Sequence, residues 1–285
     1  MEGNRDDLMR NIQGRFPKLS KGQKLIAEFI LKHYDRAAFM TASKLGSNVG
    51  VSESTVVRFA NELGYEGYPE LQKSLQDLVK VKLTTVQRLE ITKDLVSSEN
   101  ALKGVLKADM ENIRATLEKI NQKTFDSFVD SIFSARNIYI IGLRSSSTLA
   151  DFFAFYLNLI LENVKSLNHG ISDIFEQMLK ISDEDLIIGI GFPRYSNKTI
   201  EVLDFAKERG TKICVITDSL LSPLAARADL SLIAQSNMAS FVDSLVAPMS
   251  VINALIIAVG LKKKDHVTET FNTLEDIWKR YDIYN

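Results

Sequence analysis

Residues 138–158 read IYIIGLRSSSTLADFFAFYLN. An apolar run stops at Gly142, a basic, serine-rich turn follows, and a helical pattern begins at once. A strand that feeds a helix through such a turn gathers hydroxyls and free backbone N–H groups at one point, which suits an anion. Three roles fit it: a catalytic phosphate loop, one wall of a ligand sensor, or a plain structural turn. The same texture recurs downstream. NIYIIG, LIIGIGF, KICVITD and LSLIAQ are short, apolar and separated by amphipathic stretches. Continuously apolar strands spaced by helices predict a parallel sheet covered on both faces, here doubly wound and five-stranded. Ligands of such sheets sit at the C-terminal strand ends, near a topological switch point. Two of those ends are chemically loaded: GLRSSS (142–147) and GFPRYSNKT (191–199).

The chain has 285 residues and is 45% apolar, enough for two domains with cores of their own. Its net charge of -1 points to no partner, but the charge is unevenly spread. Residues 1–90 hold 14 Lys and Arg against 11 Asp and Glu, while the remainder hold 21 against 25. A mildly basic first third is permissive for nucleic acid. The lone Cys214 excludes an intrachain disulfide framework and fits a reducing compartment. The opening MEGNRDDLMR is no secretory signal, and no apolar run reaches the ~18 residues of a membrane span. A cytoplasmic protein with no membrane partner is expected. No Cys/His cluster suggests a metal, and GLRSSS has too few glycines for a P-loop or dinucleotide fingerprint. No cofactor is therefore expected.

Residues 1–80 show only helical periodicity and form an expected all-α domain. Ser20 stands as an N-cap ahead of KGQKLIAEFILKHY, where Leu25, Ile26, Phe29 and Ile30 recur at helical spacing. The stretch MTASKLGSNVGVSESTVVRFANELGY (40–65) is the most informative. Thr41 caps a short helix, ASKLGSNV; Gly50 and Val51 turn the chain; Ser52 caps a second helix, ESTVVRFANEL, which Gly64 ends. Two short helices around a brief glycine-containing turn make a helix-turn-helix. Ala42, Leu45, Val49 and Val51 supply the seam, and Val56, Val57, Ala60 and Leu63 the inner side of the second helix. Ser52, Ser54, Thr55 and Arg58 are left on its exposed start. Small polar groups there approach base edges in a major groove, and an arginine pairs with guanine or phosphate. Thr41 and Lys44 join them as candidate DNA contacts, with Lys21 and Lys24 nearby. The plainer alternative is a helical hairpin whose serines only cap. VKVKLTTVQRLEITKDLVSSEN (79–100) has no clear core face, so a linker is expected over 81–105. A helical pattern then runs from about Ala101 to Ser134. The second domain occupies 106–285 and closes with the amphipathic DHVTETFNTLEDIWKRY.

LSKGQKLIAEFILKH followed by MTASKLGSNVGVSESTVVRFANELGYEGYPELQKSL resembles the N-terminal domain of the RpiR family of bacterial transcription regulators. The resemblance covers about residues 5–78, including the trailing LGYEGYPELQ that a generic helix-turn-helix lacks. It implies a three-helix core with further helices, binding to double-stranded operator DNA beside a catabolic operon, and control by a small molecule. A homodimer or homotetramer is expected, since such operators usually carry two half-sites. The C-terminal pattern is similar to a SIS domain, the sugar-isomerase-type phosphosugar-binding fold, over about residues 120–260. VITDSLLSPLAARADLSL (215–232), with Asp218 after its strand, adds to that likeness. By motif, Ser145 and Ser146 match the first serine loop of that fold, and Ser196 and Thr199 match hydroxyls of the second.

The departures matter as much. The first loop usually reads G-x-G-x-S, and Arg144 stands at its second glycine. The second usually reads S-x-S-G-x-[ST], and here Gly191 and Pro193 replace both serines and Arg194 the glycine. Two hydroxyls are lost, two guanidiniums are gained, and Pro193 has no N–H. Arg144, Ser145, Ser146, Arg194, Ser196 and Thr199 thus point to a small anionic effector, either a sugar phosphate or a sugar acid held in bidentate fashion. Arginines that pack, or that pair with Asp or Glu, are the alternative. An isomerase on this fold would need a base beside the sugar. His169 and Glu176 in LNHGISDIFEQM are the available pair, and Gly170 disfavours one helix carrying both. No catalytic residue is assigned. A sugar-phosphate isomerase with a helical appendage is the competing class, and a ligand-binding module whose helical domain docks a protein is a third.

Overall fold

The computed structural model describes residues 5–82, 86, 100–168, 170, 172–237 and 242–284. The chain divides into two compact units, Met1–Ser97 and Ser98–Asn285. Most of the expected linker, 83–85 and 87–99, lies outside the described residues.

The first unit is built from α1 (Arg5–Arg15), α2 (Lys21–Ala37), α3 (Ala42–Val49), α4 (Glu53–Glu62) and α5 (Tyr68–Lys82). Ser20 starts α2 with a reciprocal cap: its Oγ accepts from Gln23 N at 3.4 Å, and Gln23 Oε1 accepts from Ser20 N at 2.9 Å. Ile12, Ile26, Ile30, Leu45, Val56, Phe59, Leu71 and Leu75 are buried together. Leu25 departs from the expected apolar face; it is exposed, because the buried stripe of α2 runs through Ile26 and Ile30. Two glycines shape the turn between α3 and α4. Gly50 has φ +75°, where a side chain is disfavoured. A Cβ on Gly46 would lie 2.7 Å from the Val51 carbonyl oxygen, so only glycine lets the turn fold back onto α3. The motif that trails the helix pair then clamps it. Tyr68 Oη donates to Met40 O at 2.7 Å, Gln72 Nε2 donates to the same oxygen at 2.9 Å, and Gln76 Nε2 donates to Ala38 O at 3.1 Å. Burial pushes the Tyr68 phenol up to about 12.

The second unit begins with α6 (Ala101–Lys119) and α7 (Gln122–Ser134). The single helical pattern expected over 101–134 is thus two helices. Ile120 is extended, and the Asn121 side chain accepts from Thr124 N at 3.1 Å, capping a new start. There follow β1 (Ile138–Gly142), α8 (Ser147–Asn158), β2 (Val164–Leu167), α9 (Ile174–Gln177), β3 (Leu186–Ile190), α10 (Asn197–Glu208), β4 (Lys212–Thr217), β5 (Leu230–Ile233), α11 (Val246–Lys262) and α12 (Lys264–Arg280). The sheet runs β2-β1-β3-β4-β5 and every pairing is parallel. Alternate residues feed opposite faces. Ile138, Ile140 and Ile188 pack with α7, α8 and α11, while Tyr139, Ile141 and Ile187 pack with α10. A carboxylate fixes the far end of the two central strands. Asp185 accepts from Arg136 Nη2 at 2.7 Å and Nε at 3.0 Å, from Asn137 Nδ2 at 2.9 Å, and from Ser182 N at 2.9 Å. Burial opposes its ionisation, yet these donors outweigh it and hold the carboxyl below its ordinary value.

The strand order reverses between β1 and β3, which are neighbours with Gly142 opposite Ile190. The two loaded loops therefore leave the sheet side by side at the switch point of a doubly wound fold.

Candidate functional site

In the helical unit the six candidate DNA contacts lie on α3 and α4. Thr41 caps α3, its Oγ1 accepting from Lys44 N at 3.2 Å, and the Lys44 side chain is exposed. Ser52 occupies the cap position of α4 but does not cap it with its side chain. Its hydroxyl instead bonds Ser54 Oγ and Thr55 Oγ1, each at 2.9 Å. This corrects the expected cap: two neighbouring hydroxyls compete for Ser52 Oγ, and the first N–H groups of α4 keep no side-chain acceptor from it. Arg58 Nε donates to Ser54 O at 3.3 Å, which lays the guanidinium along the same turn. Ser52, Thr55 and Arg58 line a cleft with Ser20, Gly22, Gln23 and Val51. The N-terminal ends of α2 and α4 thus meet in one concave, hydroxyl-rich surface with a cation on its rim, the donor set a backbone phosphate needs. Gly22 lies against this seam, where a Cβ would make ordinary contact with Thr55 Cγ2 and Val51 Cγ1 at 3.4 Å. Sequence reasoning placed Ser20 only as a cap; its nearness to Arg58 is a tertiary fact. Lys24 sits with its ammonium 5.8 Å from the centre of the Phe16 ring.

In the sheet unit the six candidate effector residues divide by burial. Arg144, Ser145 and Arg194 are exposed, Ser196 is half-buried, and Ser146 and Thr199 are buried. Arg144 has φ +60°, so an arginine holds the left-handed conformation in the place where the family pattern carries glycine. A non-glycine residue there costs roughly 1–2 kcal/mol, the kind of strain that collects at ligand sites. Gly142 is required one turn earlier, because a Cβ would lie 2.5 Å from Ser146 O. Neither Ser146 nor Ser196 caps its helix through its side chain. The hydroxyls of Ser146 and Thr199 have no hydrogen-bond partner among the described residues, although they are only 5% and 1% exposed. Buried hydroxyls are nearly always satisfied by protein or ordered water, and these two stand one after β1 and one in the first turn of α10.

Residues 7–81 match the rpiR-family helix-turn-helix domain and residues 131–258 match the SIS domain. The chain belongs to the rpiR family of transcriptional regulators. Among its relatives, the HTH-type transcriptional regulator HexR of Pseudomonas aeruginosa is 24% identical over 270 residues, 90% of each chain. The sugar isomerase domain of an RpiR transcription factor from Sphaerobacter thermophilus superposes with a TM-score of 0.59 at 25% identity, covering 62% of this chain and 99% of that one. The NanR protein of Vibrio vulnificus, solved in complex with ManNAc-6P, gives a TM-score of 0.57 at 20% identity and covers 95% of this chain and 99% of its own. The relatives are named as transcriptional regulators, and the rpiR-family helix-turn-helix domain sets this chain among them; the sugar isomerase likeness of its second unit is one of fold. Of the pair an isomerase would use, Glu176 is engaged in a cap, its carboxylate accepting from Asp173 N at 3.0 Å, and His169 lies outside the described residues.

Around its two loops the regulator carries a polar network that the sequence did not announce. Ser145 Oγ donates to Asp243 Oδ2 at 3.2 Å. Tyr195 Oη donates to Asp218 Oδ1 at 2.6 Å, and Gln235 Nε2 donates to Asp218 O at 3.3 Å. The segment after β5 that supplies Gln235 and Asp243 is also fastened to α6. Gln235 N donates to Thr116 Oγ1 at 2.8 Å, Asn112 and Asn237 exchange two bonds of 3.0 Å, and Ser244 Oγ donates to Asp109 Oδ1 at 2.6 Å. Asp109, Asn112 and Thr116 fall on one face of α6 at helical spacing. Only the spacing was visible beforehand; the partners lie more than a hundred residues away. No group of three or more His, Cys, Asp or Glu that could hold a metal ion occurs among the described residues.

Proposed function

We propose that this rpiR regulator controls a catabolic operon, and that α4 and the cleft at its start bind the operator. A small anionic sugar derivative, a sugar phosphate or sugar acid, binds where β1 and β3 end. The observation that carries the effector reading is the pair of buried, unsatisfied hydroxyls, Ser146 and Thr199, in the two loops that flank the switch point. Arg144 and Arg194 supply the positive charge, and the uncapped starts of α8 and α10 supply backbone N–H groups. The phosphosugar complex of NanR, a protein of the same fold over nearly its whole length, favours the phosphate over the acid. The active species is a cytoplasmic homodimer or homotetramer, which matches two operator half-sites.

Coupling needs the effector to bind the DNA-competent and DNA-incompetent forms with different affinity. Ser145 offers the route. A ligand that draws its hydroxyl away from Asp243 alters the segment after β5, and that segment is bonded to α6, the helix that opens the second unit and begins within the expected linker. A thermal-shift screen with ManNAc-6P, hexose phosphates and sugar acids tests the effector. A ligand selective for the native state stabilises it by mass action, by about 2.7 kcal/mol at a hundred times Kd, and so raises the midpoint. The shift should vanish in Thr199→Val. If no anion shifts the wild-type protein and a neutral sugar does, the anionic effector is wrong while the operator reading is untouched.

A further inference from the structure

Gln23 lies on α2, the helix before the helix-turn-helix, and only one end of its carboxamide is used. Its Oε1 accepts from Ser20 N at 2.9 Å. Because Ser20 N is a donor, the atom that meets it must be the amide oxygen, and this fixes which way the carboxamide faces. The NH2 group is left over and has no partner among the described residues. Gln23 is half-buried, and it lines the cleft it shares with Ser52, Thr55 and Arg58 of the following helix pair.

The α4 side of that cleft is equally short of acceptors. Ser52, Ser54 and Thr55 have three hydroxyl protons for two mutual bonds, so one proton remains to donate outward. Arg58 Nε is bonded to Ser54 O, and its two terminal nitrogens have no partner among the described residues. No acidic side chain lines the cleft, which encloses about 500 Å³. Donors from two helices thus face one space with nothing in it to accept from them, the setting for an anion with several oxygens. The surroundings favour a chain of anions over a single free one. Lys18 and Lys21 are exposed on either side of Ser20 in the sequence, and the first turn of α2 holds no acid. Cations strung along the approach to such a cleft suit a nucleic-acid backbone.

We infer that Gln23 is a ligand of the DNA backbone: its carboxamide, oriented by the cap of α2, donates to an operator phosphate beside Arg58. A helix outside the helix-turn-helix then helps to fix how α4 lies on the duplex, through a contact that carries no base information. The inference rests on the operator reading above and adds a residue and a helix to it.

Gln23→Glu tests it. Glutamate at this position keeps the reciprocal cap, since Ser20 N again meets a carboxyl oxygen. What changes is the group in the cleft, from a donor NH2 to a second carboxylate oxygen. Fluorescence anisotropy on labelled DNA of the protein's own promoter and on an unrelated duplex should show binding weakened about tenfold or more on both. The unfolding midpoint should be unchanged, and the loss should shrink as salt is added. Should Gln23→Glu unfold the protein, Gly22→Asp decides. It sets a carboxylate at the same cleft, where an acid also suits the first turn of a helix, and the same loss on both duplexes is expected. A folded variant that binds both duplexes as the wild type does removes Gln23 from the interface and leaves the operator reading standing. A loss confined to the promoter makes Gln23 a reader of bases and overturns the backbone contact. A wild type that binds neither duplex overturns the operator reading and this inference with it.

Discussion

On the reading proposed above, the two units solve the same problem, holding an anion, at different distances along the chain. In the helical unit the hydroxyls and Arg58 come from one stretch of about twenty residues, and they find each other through i, i+2 to i, i+4 contacts on a single helix start. In the sheet unit the loops start at residues 142 and 191, and their partners at 218, 235 and 243 arrive from two further segments, one after β4 and one after β5. Helical spacing fixes the first site; sheet topology fixes the second. A local site should be damaged residue by residue, with small and separable losses. A site assembled from distant segments should fail when any one wall is removed, and should report its state to whatever shares those segments.

The largest expected effect tests the distant site. Arg194→Ala should weaken effector binding by about 2–5 kcal/mol, roughly 30-fold or more, because a desolvated anion loses its charged partner. Calorimetric titration measures it. Operator binding without effector should stay within about twofold, and a parallel loss of DNA binding would erase the contrast between the units. Next in size is Asp185→Asn at the opposite end of β1 and β3. It should cost about 2–3 kcal/mol of stability, since it strips a charged acceptor from Arg136 and leaves Asn137 and Ser182 poorly matched. The sign with pH follows from the depressed carboxyl. Its contribution is complete above the ordinary carboxylate value and is lost as pH falls through the lower folded value. Thermal melts from neutral to about pH 3 should therefore show a steeper loss in the wild type than in Asp185→Asn.

Smaller effects belong to the local site. Arg58→Ala should weaken operator binding by about 1–3 kcal/mol if the guanidinium reads a base. If it holds only phosphate, the loss should be uniform across sequences and the salt dependence shallower. Anisotropy on operator and unrelated DNA separates the two. Smallest is Tyr68→Phe. Losing one buried hydrogen bond to Met40 O should cost about 1 kcal/mol of the first unit's stability, read from its own unfolding transition, with the sheet unit unmoved.

Legibility followed the same division. The helix-turn-helix could be read because Thr41, Gly50 and the apolar 3.6-residue spacing act within a few residues. Ser52 was misassigned as a side-chain cap because its competitors, Ser54 and Thr55, are equally local and their contest is decided by rotamers. In the sheet unit β1, β3 and β4 announced themselves through double-sided burial and β5 through its apolar run LSLIAQ, while β2 did not. Its VKSL is buried only at its two ends, with Lys165 and Ser166 between them open at the sheet edge. Both loops could be named from their strand ends, and their adjacency followed only from the strand order. Tyr195, Gln235 and Asp243 were not legible, since each matters through an atom far away in sequence, and Gly46 matters through the Val51 carbonyl five residues on, a contact only the folded turn brings about. Arg144 was conspicuous as a departure from glycine, and its left-handed backbone gives that departure a physical meaning.

The central claim is that an anion at the β1 and β3 ends governs what α4 does on DNA. The most direct measurement is fluorescence anisotropy of labelled promoter DNA with wild type and Arg194→Ala, each titrated with ManNAc-6P, hexose phosphates, sugar acids and the parent neutral sugars. The account predicts that one anion changes the operator Kd of the wild type by about 5–150-fold, that its neutral parent does not, and that Arg194→Ala loses the response while still binding DNA. A neutral sugar that acts as strongly, or an Arg194→Ala protein that responds at the same effector concentration, would contradict it.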